Sequence, residues 1–167
     1  MLATGCVGSI DRGEFADVVR SRGGGLSGDL LVDAVQRVED RVGAPVLVRR
    51  ATLDHLSVSL TVSTSDRPEE SDDWIVGGSV RGPLPASNLD DDQQRQWFTV
   101  SALDPETIET AIDAAVADSD IRDAWASGAR FDAAGEDTFV ATVTVTNQRG
   151  SESWTFGPEG RAVRSAS

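Results

Sequence analysis

The sequence predicts an α+β fold in which two tandem helix-plus-antiparallel-sheet repeats form one layered domain. Three observations carry the prediction. Two segments place apolar residues at helical spacing, others alternate apolar and polar residues as half-buried strands do, and the order of these segments recurs in the second half of the chain. At 167 residues the chain has room for one substantial core, so the two repeats are expected to share it.

The first helix is expected from about Gly28 to Val42. Ser27 offers a capping hydroxyl, and Leu31, Ala34, Val35, Val38 and Val42 fall on one face. The second is expected to start at Asp104-Pro105-Glu106, where a capping carboxylate precedes a proline whose missing N–H costs nothing in a first turn. Its stripe is Ile108, Ala111, Ile112, Ala115 and Val116. At a constant offset of 77 residues Leu31 falls on Ile108, Ala34 on Ala111, Val35 on Ile112 and Val38 on Ala115.

The strands follow the same order. Leu56, Val58, Leu60 and Val62 alternate with His55, Ser57, Ser59, Thr61 and Ser63, while Phe139, Ala141, Val143 and Val145 alternate with Val140, Thr142, Thr144 and Thr146. Polar loops are expected over Thr64 to Asp73 and Asn147 to Ser153. Each leads to an expected strand carrying Trp-x-x-Gly-x-x-x-Arg: Trp74, Gly77 and Arg81, then Trp154, Gly157 and Arg161. That recurrence marks a duplicated α-β-β-β unit. Shorter strands are expected at Pro45 to Arg50 and Ala129 to Asp132, and another from Trp97 to Ala102 leading into the second helix. Ile121 and Trp125 suit a short helical turn, Arg12 to Arg20 a short helix, and Gly23-Gly24-Gly25 a flexible joint.

The stretch from Arg81 to Gln96, with two prolines and the run Asp90-Asp91-Asp92, reads as the inter-repeat connection. The expected organisation is therefore a signal remnant and linker at 1–26, a first repeat at 27–84, an acidic linker at 85–96, a second repeat at 97–163 and a tail at 164–167. In element order, 27–163 resembles the PepSY-type repeats of bacterial envelope proteins and the family of the beta-lactamase inhibitor protein. The resemblance implies a two-repeat layered scaffold. It departs from the inhibitor family in one respect, because that family relies on disulfides and Cys6 is the single cysteine here.

Cys6 carries a second resemblance. Leu2-Ala3-Thr4-Gly5-Cys6 is similar to the lipobox of bacterial and archaeal lipoproteins, in which small residues precede the cysteine that receives lipid. It implies lipidation of Cys6 and a place in the cell envelope, anchored to the outer face of the cytoplasmic membrane. A charged and then apolar signal segment does not precede it in this sequence, so the resemblance implies a start upstream of Met1 or a trimmed chain. The alternative is that Met1 is the start and Cys6 an ordinary residue. Two or three acyl chains on one cysteine exceed the marginal membrane binding of a single chain.

Net charge is −13 and all 15 basic residues are arginine. Such a chain lacks the basic stripe that nucleic-acid phosphates require. Its acidic excess fits genomic composition or a salty habitat, and equally a field that attracts a cationic partner. No apolar run reaches the ~20 residues that cross a bilayer, so membrane contact is expected through lipid on Cys6 alone.

Catalytic chemistry has little to stand on. His55 is the single histidine, and no Gly-x-Ser-x-Gly supports a serine nucleophile for it. One Cys and one His do not make a zinc site, and Asp72, Asp73 and the run Asp90 to Asp92 lack the spacing of a calcium loop. The triple glycine lacks the Lys-Ser or Lys-Thr of a phosphate loop. No enzyme, metal or cofactor is expected. Tryptophan is enriched in cores and at recognition hot spots alike. Trp74, Trp154 and Trp97 with Arg81 and Arg161 are the candidate binding surface if they face outward, and core anchors if they do not. The expected function is non-catalytic binding of a protein, peptide or small apolar ligand. A structural or inhibitory module acting by occlusion, and a hydrolase using His55, are the alternatives.

Overall fold

The computed structural model describes residues 26–86, 96–157 and, for backbone alone, 162–165. Cys6, the segment Arg12 to Arg20, the triple glycine, Asp90 to Asp92 and Arg161 lie outside them. Two helices and one antiparallel sheet make an α+β layer pair. Helix α1 (Gly28–Val42) is followed by β1 (Val46–Leu53), β2 (Val58–Thr64), β3 (Arg67–Val76) and β4 (Val80–Pro85). A 3-10 turn at Val100–Ala102 then leads to α2 (Pro105–Ala117), β5 (Trp125–Gly135), β6 (Thr138–Thr146), β7 (Ser151–Phe156) and β8 (Ala162–Ser165). The sheet runs β4-β3-β2-β1-β5-β6-β7-β8, so β1 and β5 lie at its centre.

Both helices cover the same face. α1 packs on β1, β2 and β3, and α2 on β5, β6 and β7. Leu31, Ala34, Val35 and Val38 of α1 and Ile108, Ile112 and Ala115 of α2 are buried against alternate strand residues such as Val58, Leu60, Val143 and Val145. Asp104 caps α2 by accepting from Glu106 N–H. Ser27 makes no such cap, and its hydroxyl instead donates to Glu109 Oε1 at 3.3 Å, across to α2. The helices approach so closely there that a Cβ on Gly28 would fall 2.5 Å from the Pro105 backbone.

Several boundaries differ from expectation. β2 begins at Val58, because Asp54 to Ser57 form the turn from β1, and Leu56 stands 86 % exposed instead of facing the core. The polar stretch Thr64 to Asp73 is mostly strand β3, and the Asn147 to Ser153 loop gives way to β7 at Ser151. Much of β3 is exposed, so it carries no apolar alternation. Trp74 to Arg81 is likewise not one strand but a hairpin, since β3 ends at Val76 and Arg81 sits on β4. Four strands, not three, follow each helix. Trp97 to Ala102 makes two single bridges, Val48 with Phe98 and Trp97 with Glu136, before the 3-10 turn. Trp125 opens β5 and is not on a helical turn.

The Trp74 indole explains one glycine. A Cβ on Gly82 would meet its ring carbons at 2.6 Å, and Gly82 has φ +146°. Gly82→Ala is expected to destabilise the fold by about 2–3 kcal/mol through overpacking and backbone strain. Urea unfolding with an unchanged slope would register the loss, and an unchanged midpoint would contradict the packing of Trp74 on β4.

Candidate functional site

Among the described residues both helices lie on one side of the sheet and no helix packs on the other, called here the open face, where strand parity decides which side chains are shown. Residues paired directly across antiparallel strands share a face. Ile75 alternates with buried Trp74 and Val76, so Ile75 and its partner Arg81 face away from the helices. The same parity puts Leu84 and Asp73 on that face, then Thr61, Arg50 and Asp132 along one row.

At the centre Asp132 holds two guanidinium groups. Arg50 Nε donates to Asp132 Oδ1 at 2.8 Å, while Arg130 donates from Nε to Oδ2 at 2.7 Å and from its terminal nitrogen to Oδ1 at 2.9 Å. Toward β4, Thr61 donates to Asp73 Oδ1 at 2.7 Å. Toward β8 the face becomes a field of hydroxyls, with Thr142 beside Thr155 and Thr144 beside Ser153. The face thus mixes donors and acceptors with apolar side chains: Ile75, Leu84, 48 % exposed, Val140 paired with Asp132, and Trp125 paired with Thr146.

Of the five residues singled out from the sequence, the four that are described do not form one surface. Trp74 is 4 % exposed in the core, and Trp154 is half-buried on the helix-covered face, its Nε1 donating to Glu152 Oε1 at 3.3 Å. Trp97 is half-buried where its backbone bridges the β5–β6 turn. Arg81 is exposed on the open face, and Arg161 lies outside the described residues. Trp74 therefore acts as a core anchor and offers no contact surface. Sequence reasoning passed over Arg50, Arg130 and Asp132. Reading the polar parity of each strand as a surface in its own right would have found Thr142 and Thr144, but pairing across β1 and β5 was needed to join the charged group.

His55 lies half-buried in the β1–β2 turn. Its neighbour Asp54 accepts from the N–H groups of Leu56 and Ser57, both at 2.8 Å, and from the Ser57 hydroxyl at 2.9 Å. The Ser57 hydroxyl thus serves the turn and donates to Asp54. Among the described residues no group of three His, Cys, Asp or Glu side chains is placed to hold a metal ion, and no helix is long and apolar enough to cross a membrane.

The Asp54 turn and the Asp104 helix cap carry a pH dependence. For Asp54 burial opposes ionisation, yet the hydrogen bonds from Leu56 and Ser57, with His55 alongside, outweigh it and hold the carboxyl below its ordinary value. Asp104 is held low first by the Thr107 hydroxyl, then by the N–H groups of Glu106 and Thr107, against slight desolvation. A depressed folded-state pKa gives stability that is present above the unfolded value, about 3.9 for Asp, and is lost as pH falls through the folded values. Thermal midpoints measured from pH 5 downward are expected to fall less steeply for an Asp54→Asn, Asp104→Asn double variant than for the parent chain. Parallel curves would overturn this assignment.

Compared with known proteins, the chain matches no family model, no curated sequence and no solved structure.

Proposed function

We propose that the protein is a non-catalytic binding module of the cell envelope, tethered through lipid on Cys6, whose open sheet face contacts a protein or peptide partner. The observation that carries this reading is the asymmetry of the sheet: helices cover one face, and the other presents the Arg50–Asp132–Arg130 group between Thr61–Asp73 and the hydroxyl pairs of β6 and β7. A broad sheet face that mixes polar groups with Ile75, Val140 and Trp125 suits a macromolecular partner better than a small apolar ligand, which needs a concave pocket. An occluding or inhibitory module would use the same face. A hydrolase centred on His55 has less support, because the nearby Ser57 hydroxyl donates to Asp54.

The scaffold itself we infer to be two tandem copies of one unit, α1 with β1 to β4 and α2 with β5 to β8. One rung runs Ala51, Leu60, Trp74 across β1, β2 and β3, and another runs Ala129, Val143, Trp154 across β5, β6 and β7. Both tryptophans thus occupy the third strand of their half, opposite a buried aliphatic residue, and β1 meets β5 antiparallel, as a two-fold arrangement of copies requires. This order supports the resemblance to PepSY-type and inhibitor-type tandem units.

Two experiments test the proposal. A photo-crosslinking residue at Thr142 is expected to trap a partner that the same residue at Thr110, exposed on α2, does not trap, and Thr61→Arg is expected to reduce the yield at least tenfold. Equal capture at both positions would remove the open face from consideration. Expression of the gene with its natural upstream sequence in a bacterial host is expected to give a protein heavier by a diacylglyceryl group, and Cys6→Ser to abolish that mass. An unmodified parent protein would remove the anchor.

A further inference from the structure

The open face carries charge in a pattern that is its own complement. Arg50 and Asp132 are direct partners across the join between β1 and β5, in the middle of the sheet, on the side where no described helix packs. Their side chains are a quarter to a third exposed, so a body laid on the sheet reaches both. Asp132 accepts three hydrogen bonds, from Arg50 and Arg130, and a carboxylate has about four acceptor sites.

A homodimer formed through one patch needs that patch to match itself under a two-fold axis. An axis laid along the join, in the plane between two facing sheets, places β1 of one copy over β5 of the other and β2 over β6. Arg50 of each copy then stands over the partner's Asp132, and the two pairs meet with alternating sign. Facing sheets lie about 10 Å apart, a gap that an arginine from one side and an aspartate from the other span together. An axis along the same row but across the strands would set Arg50 on Arg50, which like charge disfavours.

Charge and area also single out a second copy as the occupant. The named charges of the face, Arg50, Arg81 and Arg130 with Asp73 and Asp132, come close to balance, whereas the whole chain carries −13, so contact through the remainder sets excess negative charge against itself. Eight strands at about 4.8 Å spacing, each about seven residues long, make a face of roughly 34 by 23 Å, or about 800 Å². A standard interface buries about 800 Å² per partner. Ile75 and Leu84 on one side of the join, with Val140 and Trp125 on the other, give that area an apolar share.

We propose that the partner of the open face is a second copy of this chain, docked face to face about a two-fold axis along the β1–β5 join. This rests on the reading of that face as a protein-contact surface and names its occupant. In sedimentation equilibrium the mass of the full chain is expected to rise from 17.7 kDa to twice that through the micromolar range. Arg50→Glu and Asp132→Arg each oppose like charges at the axis and are expected to be monomers alone, while an equimolar mixture of the two is expected to restore a dimer. Ser59→Arg puts a long side chain at an exposed position of the same face, so it is expected to keep the parent's thermal midpoint and weaken association at least tenfold. A parent chain that stays monomeric at millimolar concentration, a dimer indifferent to Ser59→Arg, or folded charge variants that stay monomeric when mixed would each overturn the dimer. Capture of a different protein at Thr142 by a monomeric chain would remove the second copy and keep the face as a contact surface, whereas a monomer that captures nothing there would remove both.

Discussion

The narrow antiparallel join between β1 and β5 is the constraint on which the rest of the molecule depends. Four residue pairs make it: Arg50 with Asp132, Ala51 with Phe131, Thr52 with Arg130 and Leu53 with Ala129. Because side chains alternate, a slip of one residue would turn Ala51, Leu53 and Phe131 out to solvent and push Arg50 and Asp132 under the helices. The ion group on the open face and the apolar row on the covered face therefore specify one register together. Where β5 diverges, Phe98 takes its place beside Val48, exchanging backbone hydrogen bonds of 2.8 and 2.9 Å, so the edge of β1 stays paired beyond the join.

The helical layer is tied across the same two halves. Gly28 lies against Pro105 at a distance that leaves no space for a side chain, and the Ser27 hydroxyl reaches Glu109. Glycine at the start of a helix costs conformational entropy, and here the close approach of two helix ends gives the reason it is present. With sheet and helices both joined across the middle, one apolar cluster runs through the whole described molecule, from Val76 on one side to Phe156 on the other. The described parts of the two halves therefore share a single core.

Legibility in the sequence followed burial. Both helices were readable nearly to the residue, because Leu31 to Val38 and Ile108 to Ala115 face a core along their whole length and the 3.6-residue period survives intact. β6 was equally clear, with Ala141, Val143 and Val145 buried between Thr142, Thr144 and Thr146. β3 was not, since its first half is exposed and Arg67 to Asp73 lacks an apolar face to advertise. The Asp54 turn hid for a different reason: Leu56 keeps the alternation of β2 by residue type while standing in solvent, and the carboxylate that makes the turn looks like any other in so acidic a chain. The open-face group was hidden most deeply, because Arg50 and Asp132 are 82 residues apart and meet through strand pairing alone.

Energetics also separate the two faces. Ion pairs whose members are a quarter to a half exposed, as Arg50, Arg130 and Asp132 are, contribute little to folding, roughly 0–1 kcal/mol each, whereas each fully buried Leu or Phe beneath the helices contributes about 1.5–3 kcal/mol. The fold stands on its covered face and leaves the open one comparatively free to change. The named open-face positions carry Arg50, Arg81 and Arg130 against Asp73 and Asp132, close to balance within a chain of net charge −13. For the partner proposed above, matched donors and acceptors would act at short range, and the acidic remainder of the surface would set its approach. Arg49 belongs to neither face: at 4 % exposed it is too buried to meet a partner, and its guanidinium is held by the Gln96 and Pro68 carbonyls and the Ser63 hydroxyl.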